Sequence, residues 1–320
     1  MGRCLNKSDR PEPAPNIEKE TETVQLITGK DAISPLFGEI SREYGVVFEQ
    51  SIESAVAAAL AEDIGSGDLT GRLVPADEVR SARIVIREAA VLCGVPWFES
   101  VLRQLGGGIT TSWHYREGEL MLANTPVVEL RGPARLLLTA ERNTLNFLQL
   151  LSGVATATRR YVQAIEGHRA RILDTRKTLP GLRLAQKYAV RVGGGANQRI
   201  ALYDGILIKE NHIAAAGGVG AAVDAAIALN AGVSIQVEVE TLAQLDEALA
   251  HHAESILLDN FTPAMMHEAV AMTAGRAILE VSGGVNHDTV VSIAATGVDR
   301  ISIGSLTKDV HAADFSMRLL

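Results

Sequence analysis

The chain has 320 residues, 47% apolar and 21% charged, with a net charge of −8. Such a length suits one large domain or two ordinary ones, and the apolar content excludes disorder as the main state. Aromatics are only 4%, which disfavours a stacking platform for single-stranded nucleic acid, and the net acidity disfavours nucleic acid as a partner.

Residues 1–33 are expected to form a flexible N-terminal extension. Pro11, Pro13 and Pro15 stand among alternating charges without apolar periodicity. The opening MGRCLN lacks the Ser/Thr of a myristoylation signal, and no apolar h-region follows. No run of 18 apolar residues predicts a membrane span. Cys4 and Cys93 make neither a disulfide framework nor a zinc pair, so a cytoplasmic setting is expected, with Cys93 in the core.

Ser51 is a candidate cap for a helix from Ile52 to about Glu62, with Ile52, Val56 and Leu60 on one face. DIGSGDLTG (63–71) is a turn-rich loop. Residues 82–94 and 109–130 are predicted strands broken by turns, with a helix near 96–105 between them. A long helix is predicted to open near Thr139 and run through ERNTLNFLQLL to Gly153.

Beyond that point short apolar strands alternate with helix-length segments. The strands are RILD (171–174), ILIK (206–209), IQVEV (235–239), SILLD (255–259), AILEV (277–281) and RISIG (300–304). The spacing predicts βα units around a parallel sheet, a barrel in preference to a doubly wound sheet.

Charge is uneven along the chain. Arg131 to Lys209 holds 14 Lys and Arg against four acids, within an acidic chain. A basic block of this kind is either a solvated face or an anion site. Its neighbours favour the site. Most of the later strands end in polar residues: Asp174, Lys209, Glu238 with Glu240, Asp259 and Glu280. In a barrel such ends converge at one mouth. Arg176, Lys177, Arg199 and Lys209 suit carboxylate or phosphate. Glu238 and Asp259 suit Mg2+ beside a phosphate, or else pair with the nearby cations. VSGGV (281–285) and SIGSL (302–306) leave room for a phosphate at the backbone. GGGANQR (193–199) has the wrong spacing for a dinucleotide fingerprint, and His212, His251 and His252 have no metal-ligand spacing.

These strings resemble the quinolinate phosphoribosyltransferase family, also called nicotinate-nucleotide pyrophosphorylase (carboxylating). The resemblance lies in ERNTLNFLQLLSGVAT (141–156), DTRKTLPGLR (174–183), KYAVRVGGGANQR (187–199), LIKENHI (207–213), VEVE (237–240), LLDN (257–260), EVSGGV (280–285) and IGSLTK (303–308). DIGSGDLT (63–70) extends it forward.

The resemblance implies an N-terminal α/β sandwich domain over 34–150 and an open seven-stranded α/β barrel over 151–320, whose last residues pack back on the first domain. It implies a homodimer at least, with each site completed by the neighbouring chain, and a reaction between quinolinate and phosphoribosyl pyrophosphate in NAD synthesis. Arg142 would cross the dimer to quinolinate. Arg176, Arg199 and Lys209 would bind its carboxylates, and Lys177 would lie between the substrates. Glu238 and Asp259 would hold Mg2+ or the ribose hydroxyls; with Lys177 they are the implied catalytic residues. Ser282, Gly283, Gly284 and Gly304 would receive the 5′-phosphate. Gln198 stands where the family usually has histidine, and is expected to meet the dicarboxylate without a charge.

Two other readings fit parts of the pattern. One is a Schiff-base lyase with Lys209 as nucleophile. The other is a non-catalytic anion-binding relative associated with molybdate transport, which the intact DTRKT, KENH and paired acids disfavour.

Overall fold

The computed structural model describes residues 26–320. The extension expected over 1–33 therefore falls mostly outside the described residues. Its last part is packed: Ile27 exchanges two backbone hydrogen bonds with Trp113, at 3.0 and 2.8 Å, and Ala32 is buried.

Three helices come first: α1 (Gly29–Ala32), α2 (Leu36–Tyr44) and α3 (Val46–Ile64). Then follow β1 (Val79–Ile86), β2 (Ala90–Val91), α4 (Val95–Gln104), β3 (Thr110–Trp113), β4 (Leu120–Met121) and β5 (Pro126–Pro133). Helix α3 buries Ile52, Val56 and Leu60 as the periodicity predicts, but it starts earlier. Gly45, at φ 66°, separates it from α2, and Ser51 lies inside it, donating to the Phe48 carbonyl rather than capping.

The long helix α5 (Ala134–Ala164) passes straight through Gly153, where the sequence predicts an end. A Cβ at Gly153 would collide with the carbonyl oxygen of His311. That glycine admits a crossing backbone; it does not break the helix. The 150/151 domain division thus falls within a continuous helix.

The remaining elements alternate. They are β6 (Arg171–Leu173), α6 (Arg183–Val192), β7 (Gly205–Ile208), α7 (Glu210–Ala216), α8 (Val219–Ala228), β8 (Ser234–Val239), α9 (Leu242–Ala250) and β9 (Ser255–Asp259). Then come α10 (Pro263–Thr273), β10 (Ile278–Ser282), α11 (Val290–Ala294), β11 (Arg300–Ser302), α12 (Ser305–Lys308) and β12 (Phe315–Leu319).

Strands β12, β1, β5 and β3 form, in that order, one antiparallel sheet. The last strand of the chain thus completes the first domain. Strands β6, β11, β10, β9, β8 and β7 form a parallel sheet that is the open α/β barrel. It has six strands among the described residues, not seven. The seventh position is a single parallel bridge between Leu173 and Ala196. Pairing stops there because Asn197 and Gln198 bond through their side chains instead.

The cores are distinct. The first holds Phe48, Trp97 and the β1 residues Ile84 and Ile86, with Tyr188 of α6 inserted into it. The second is the strand–helix interface of the barrel, including Val237, Leu258, Val281 and Ile301.

Candidate active site

Register places the inward side chains in tiers. Leu257 pairs with Glu238 on one side and Glu280 on the other, so these three share a level. One step toward the C-terminal strand ends, Asp259 pairs with Ser282. Successive side chains of a strand alternate faces, so Gln236 lies below Glu238 on the same face.

A cavity of about 300 Å3 opens at this mouth. Arg176, Lys177, Gln198, Arg199, Lys209, Glu238 and Ser282 all line it. Seven of the twelve residues predicted for the site therefore meet in one cavity. The structure adds Thr175, Ser302, Leu207 and Leu257, and it places the predicted strand-end Glu280, fully buried, in the same lining. A larger groove of about 730 Å3 lies between α3, α5 and residues 180–182, and none of these cations lines it.

Arg176 and Arg199 are held close together. Burial and the like charge of Arg176 hold the Arg199 guanidinium below its usual value. Arg199 donates to the Gly205 carbonyl at 2.7 Å, while the buried Nε of Arg176 has no partner. Crowded cations with unused donors are costly unless an anion answers them.

Lys209 follows β7 directly as the cap residue of α7, and its backbone N–H donates to Nδ1 of His212 at 3.0 Å. The histidine that spacing leaves without a metal role thus fixes the start of α7. Lys209 Nζ lies 3.6 Å from Glu238. Burial pushes the Glu238 carboxyl up; the Lys209 ammonium opposes this and the like charge of Asp259 adds to it.

Asp259 accepts from Asn260 at 3.0 Å and borders the glycine loop. Gly283 has φ 95°, and a Cβ there would lie 2.9 Å from Asn260 Oδ1 and 3.3 Å from Asp259 Oδ1. Only glycine suits both that dihedral and that space. At Gly304 a Cβ would lie 3.0 Å from Cδ of Lys177, so its absence lets Lys177 lie across the turn. The carbonyl of Lys177 accepts from Thr307 at 2.7 Å.

Residues 197–199 cross the open seam of the barrel, and most of their polar groups have partners. Asn197 donates to Asp174 at 2.6 Å and accepts from the Tyr44 hydroxyl of α2 at 2.8 Å. The Gln198 N–H donates to Asp174 at 2.9 Å, and its carbonyl accepts from Lys187 Nζ at 2.7 Å. Lys187 also pairs with Asp174, both fully buried. The Gln198 side chain does not keep its donors for the mouth: they go to Gln236 at 2.9 Å and to both Glu280 oxygens, at 3.0 and 2.9 Å.

Arg142 stands apart. Its side chain is 69% exposed on α5, with Glu141 at 3.5 Å, and it does not line the barrel cavity of its own chain. Among the described residues no cluster of three or more His, Cys, Asp or Glu forms a metal cage, and no helix is long and apolar enough to cross a membrane.

The N-terminal domain of quinolinate phosphoribosyl transferase matches residues 68–152, and its C-terminal domain matches 154–318. A nicotinate-nucleotide pyrophosphorylase [carboxylating] of Mycobacterium leprae is 42% identical over 271 residues, covering 82% of this chain and 95% of that one. A probable nicotinate-nucleotide pyrophosphorylase [carboxylating] of Bacillus subtilis is 40% identical over 257 residues, 80% of this chain and 89% of that one. The solved nicotinate-nucleotide pyrophosphorylase of Francisella tularensis superposes with a TM-score of 0.83 at 44% identity, covering 85% of this chain and 97% of that one.

Proposed function

The chain belongs to the quinolinate phosphoribosyltransferase family, and from that premise we propose how its site divides the work. The reaction joins quinolinate to 5-phosphoribosyl 1-pyrophosphate and yields nicotinate mononucleotide, pyrophosphate and CO2. The ring nitrogen bonds to C1′ of the ribose and the C1′–oxygen bond to pyrophosphate breaks. The C2 carboxylate then leaves as CO2, and a proton takes its place.

Arg176, Arg199 and Lys209 receive the two carboxylates of quinolinate. The observation that carries this is the crowding of Arg176 against Arg199, with a buried guanidinium N–H left without a partner. Leu207 and Leu257 offer the apolar surface for the ring. Lys177, between this cluster and Gly304, faces both substrates and steadies charge on the departing pyrophosphate. Ser282, Gly283, Gly284 and Gly304 receive the 5′-phosphate, the three glycines offering backbone groups with no side chain of their own. Once the ring nitrogen is alkylated it carries positive charge and stabilises the carbanion left by CO2. The chain must therefore position and neutralise more than it must abstract protons.

The acids fit Mg2+ of a particular kind. Glu238 and Asp259 interact electrostatically at the mouth, yet they are only two. That donor set suits an ion held by one or two carboxylates and otherwise by substrate oxygens and water, not a protein-only cage. Bound there, Mg2+ would neutralise pyrophosphate charge. Excess chelator is expected to abolish turnover and Mg2+ to restore it; full activity in chelator would remove the ion from the mechanism.

We further propose a homodimer in which Arg142 serves the neighbouring chain's site. Its exposure on α5, beside the large groove and outside its own cavity, supports this. A cytoplasmic setting suits the free, buried thiol of Cys93. The amine-nucleophile reading of Lys209 loses support, since that side chain is 52% exposed beside Glu238 and not in apolar surroundings.

The decisive assay is release of CO2 from carboxyl-labelled quinolinate. Release is expected only when phosphoribosyl pyrophosphate is present; release without it would sink this mechanism.

A further inference from the structure

The inward face of the barrel carries a carboxylate that the proposed chemistry does not use. Glu280 is fully buried on β10, with no cation within ion-pair distance among the described residues. Its partners are amides. Gln198 donates to both oxygens and Gln236 donates to one, at 3.0 Å. Gln236 in turn accepts from Gln198 at 2.9 Å and donates to Ser255 at 3.2 Å.

The orientation of the Gln198 amide follows from its neighbours. Its oxygen accepts from the Arg199 backbone N–H at 2.8 Å, and its nitrogen faces the carboxylate. A flipped amide would set oxygen against carboxylate and nitrogen against N–H, which leaves buried groups unpaired on both sides.

Packing does not hold this floor in place. A second cavity of about 160 Å3 lies behind it, reaching Ser234, Glu254 and Arg300 at the opposite end of the barrel. Gln198, Arg199 and Leu207 line both cavities, so the floor has open space above and below. Side chains between two cavities lack the close contacts that fix rotamers in a core. Hydrogen bonds must do it instead.

We infer that Glu280 is a positioning residue: from the wall opposite the open seam it holds Gln198, and through Gln198 it fixes Arg199 for the carboxylate of quinolinate. The barrel is closed at this level by a side-chain tie across its interior, where strand pairing fails. The inference rests on Arg199 binding a quinolinate carboxylate.

The direction of the effect distinguishes positioning from mere charge. If Glu280 only added negative charge beneath a dianion, Glu280→Gln would tighten quinolinate binding. If it positions, the isosteric amide removes one of two acceptors, Gln198 loses its hold, and binding weakens. The expected result is a quinolinate KM raised on the order of fivefold or more, with kcat and the KM for phosphoribosyl pyrophosphate changed less than about twofold. Gln198→Met, which keeps the length and loses every side-chain bond to Glu280, Gln236 and the Arg199 N–H, is expected to match it. The double variant is expected to be no worse than either one, because both break the same tie.

A lowered or unchanged quinolinate KM in Glu280→Gln, or additive effects in the double variant, would overturn the inference. Should Glu280→Gln not fold, an unchanged KM in Gln198→Met overturns it equally. Arg199→Lys is the control on the premise. If it leaves the quinolinate KM unchanged, the carboxylate assignment fails; if it raises KM while Glu280→Gln does not, only the positioning role fails.

Discussion

Histidine in place of Gln198 would meet Glu280, not the open mouth, since that is where the Gln198 amide points. A buried carboxylate draws an imidazole toward its charged form, so the folded-state pKa of such a histidine lies above its ordinary value of about 6.5. A group raised on folding contributes stability that is fully present below its unfolded pKa and is lost as pH rises through the folded one. Gln198→His is therefore expected to gain stability over the parent at pH 5.5 and to lose that gain by pH 9. Urea unfolding at the two pH values checks this; an equal difference at both would show that residue 198 does not face Glu280. The buried Asp174–Lys187 pair allows a companion test. Lys187→Met strands Asp174 and removes the donor to the Gln198 carbonyl, with an expected loss of roughly 3–5 kcal/mol in denaturant unfolding. A loss under about 1 kcal/mol would mean that Asp174 is satisfied without the lysine.

Elements were legible where their pattern is local. The six barrel strands lie within a residue or two of their predicted bounds, because each is a short apolar run between helical periodicities. Most of the mouth was legible for the same reason, since the residue ending a strand is known once the strand is. Three features depended on contacts distant in sequence. Ser51 resembles a cap, but its helix is extended by Val46–Gln50, whose Phe48 is buried against Trp97 and Tyr188. Glu280 is legible as a polar strand end, but its partner is not, since only the barrel's curvature brings it opposite Gln198. Gly153 resembles a helix stop, yet it admits the His311 backbone. That position yields a prediction with a decisive sign. Alanine in an exposed helix is better than glycine by about 1 kcal/mol. Here the methyl group would strike backbone, so Gly153→Ala is expected to destabilise by about 1–3 kcal/mol in chemical denaturation. Stabilisation would show that the crossing segment can retreat.

At the scale of the whole molecule, the proposed shared site can be tested by mixing. Arg142→Ala and Lys209→Ala are each expected to be nearly inactive. In a heterodimer of the two, one site takes its Lys209 from the Arg142 variant and its Arg142 from the Lys209 variant, and is intact. A purified heterodimer is expected to regain about half the wild-type rate, since a closed dimer has two equivalent sites. No recovery, with exchange confirmed by mass, would place Arg142 in its own subunit's chemistry or outside it altogether.

The strand order of the first sheet has a consequence for how the chain is made. β12 borders β1, yet it lies at the far end of the sequence. On a ribosome β1 is finished while the whole barrel remains to be synthesised, a delay of roughly 10–50 s at ordinary elongation rates. Through that interval the nascent first domain presents one unpaired strand edge, a template for joining other chains. Arg80 and Arg83 on β1 are each answered by an acid, Glu78 at 2.7 Å and Glu129 at 2.9 Å, so they leave that edge little net charge to discourage such joining. Loss of the last six residues would leave that edge open permanently. Such a truncated chain is expected to keep its barrel mouth and lose its solubility, visible as aggregation on light scattering. If it stays monodisperse, the exposed edge is harmless and the final strand serves only to complete the sheet.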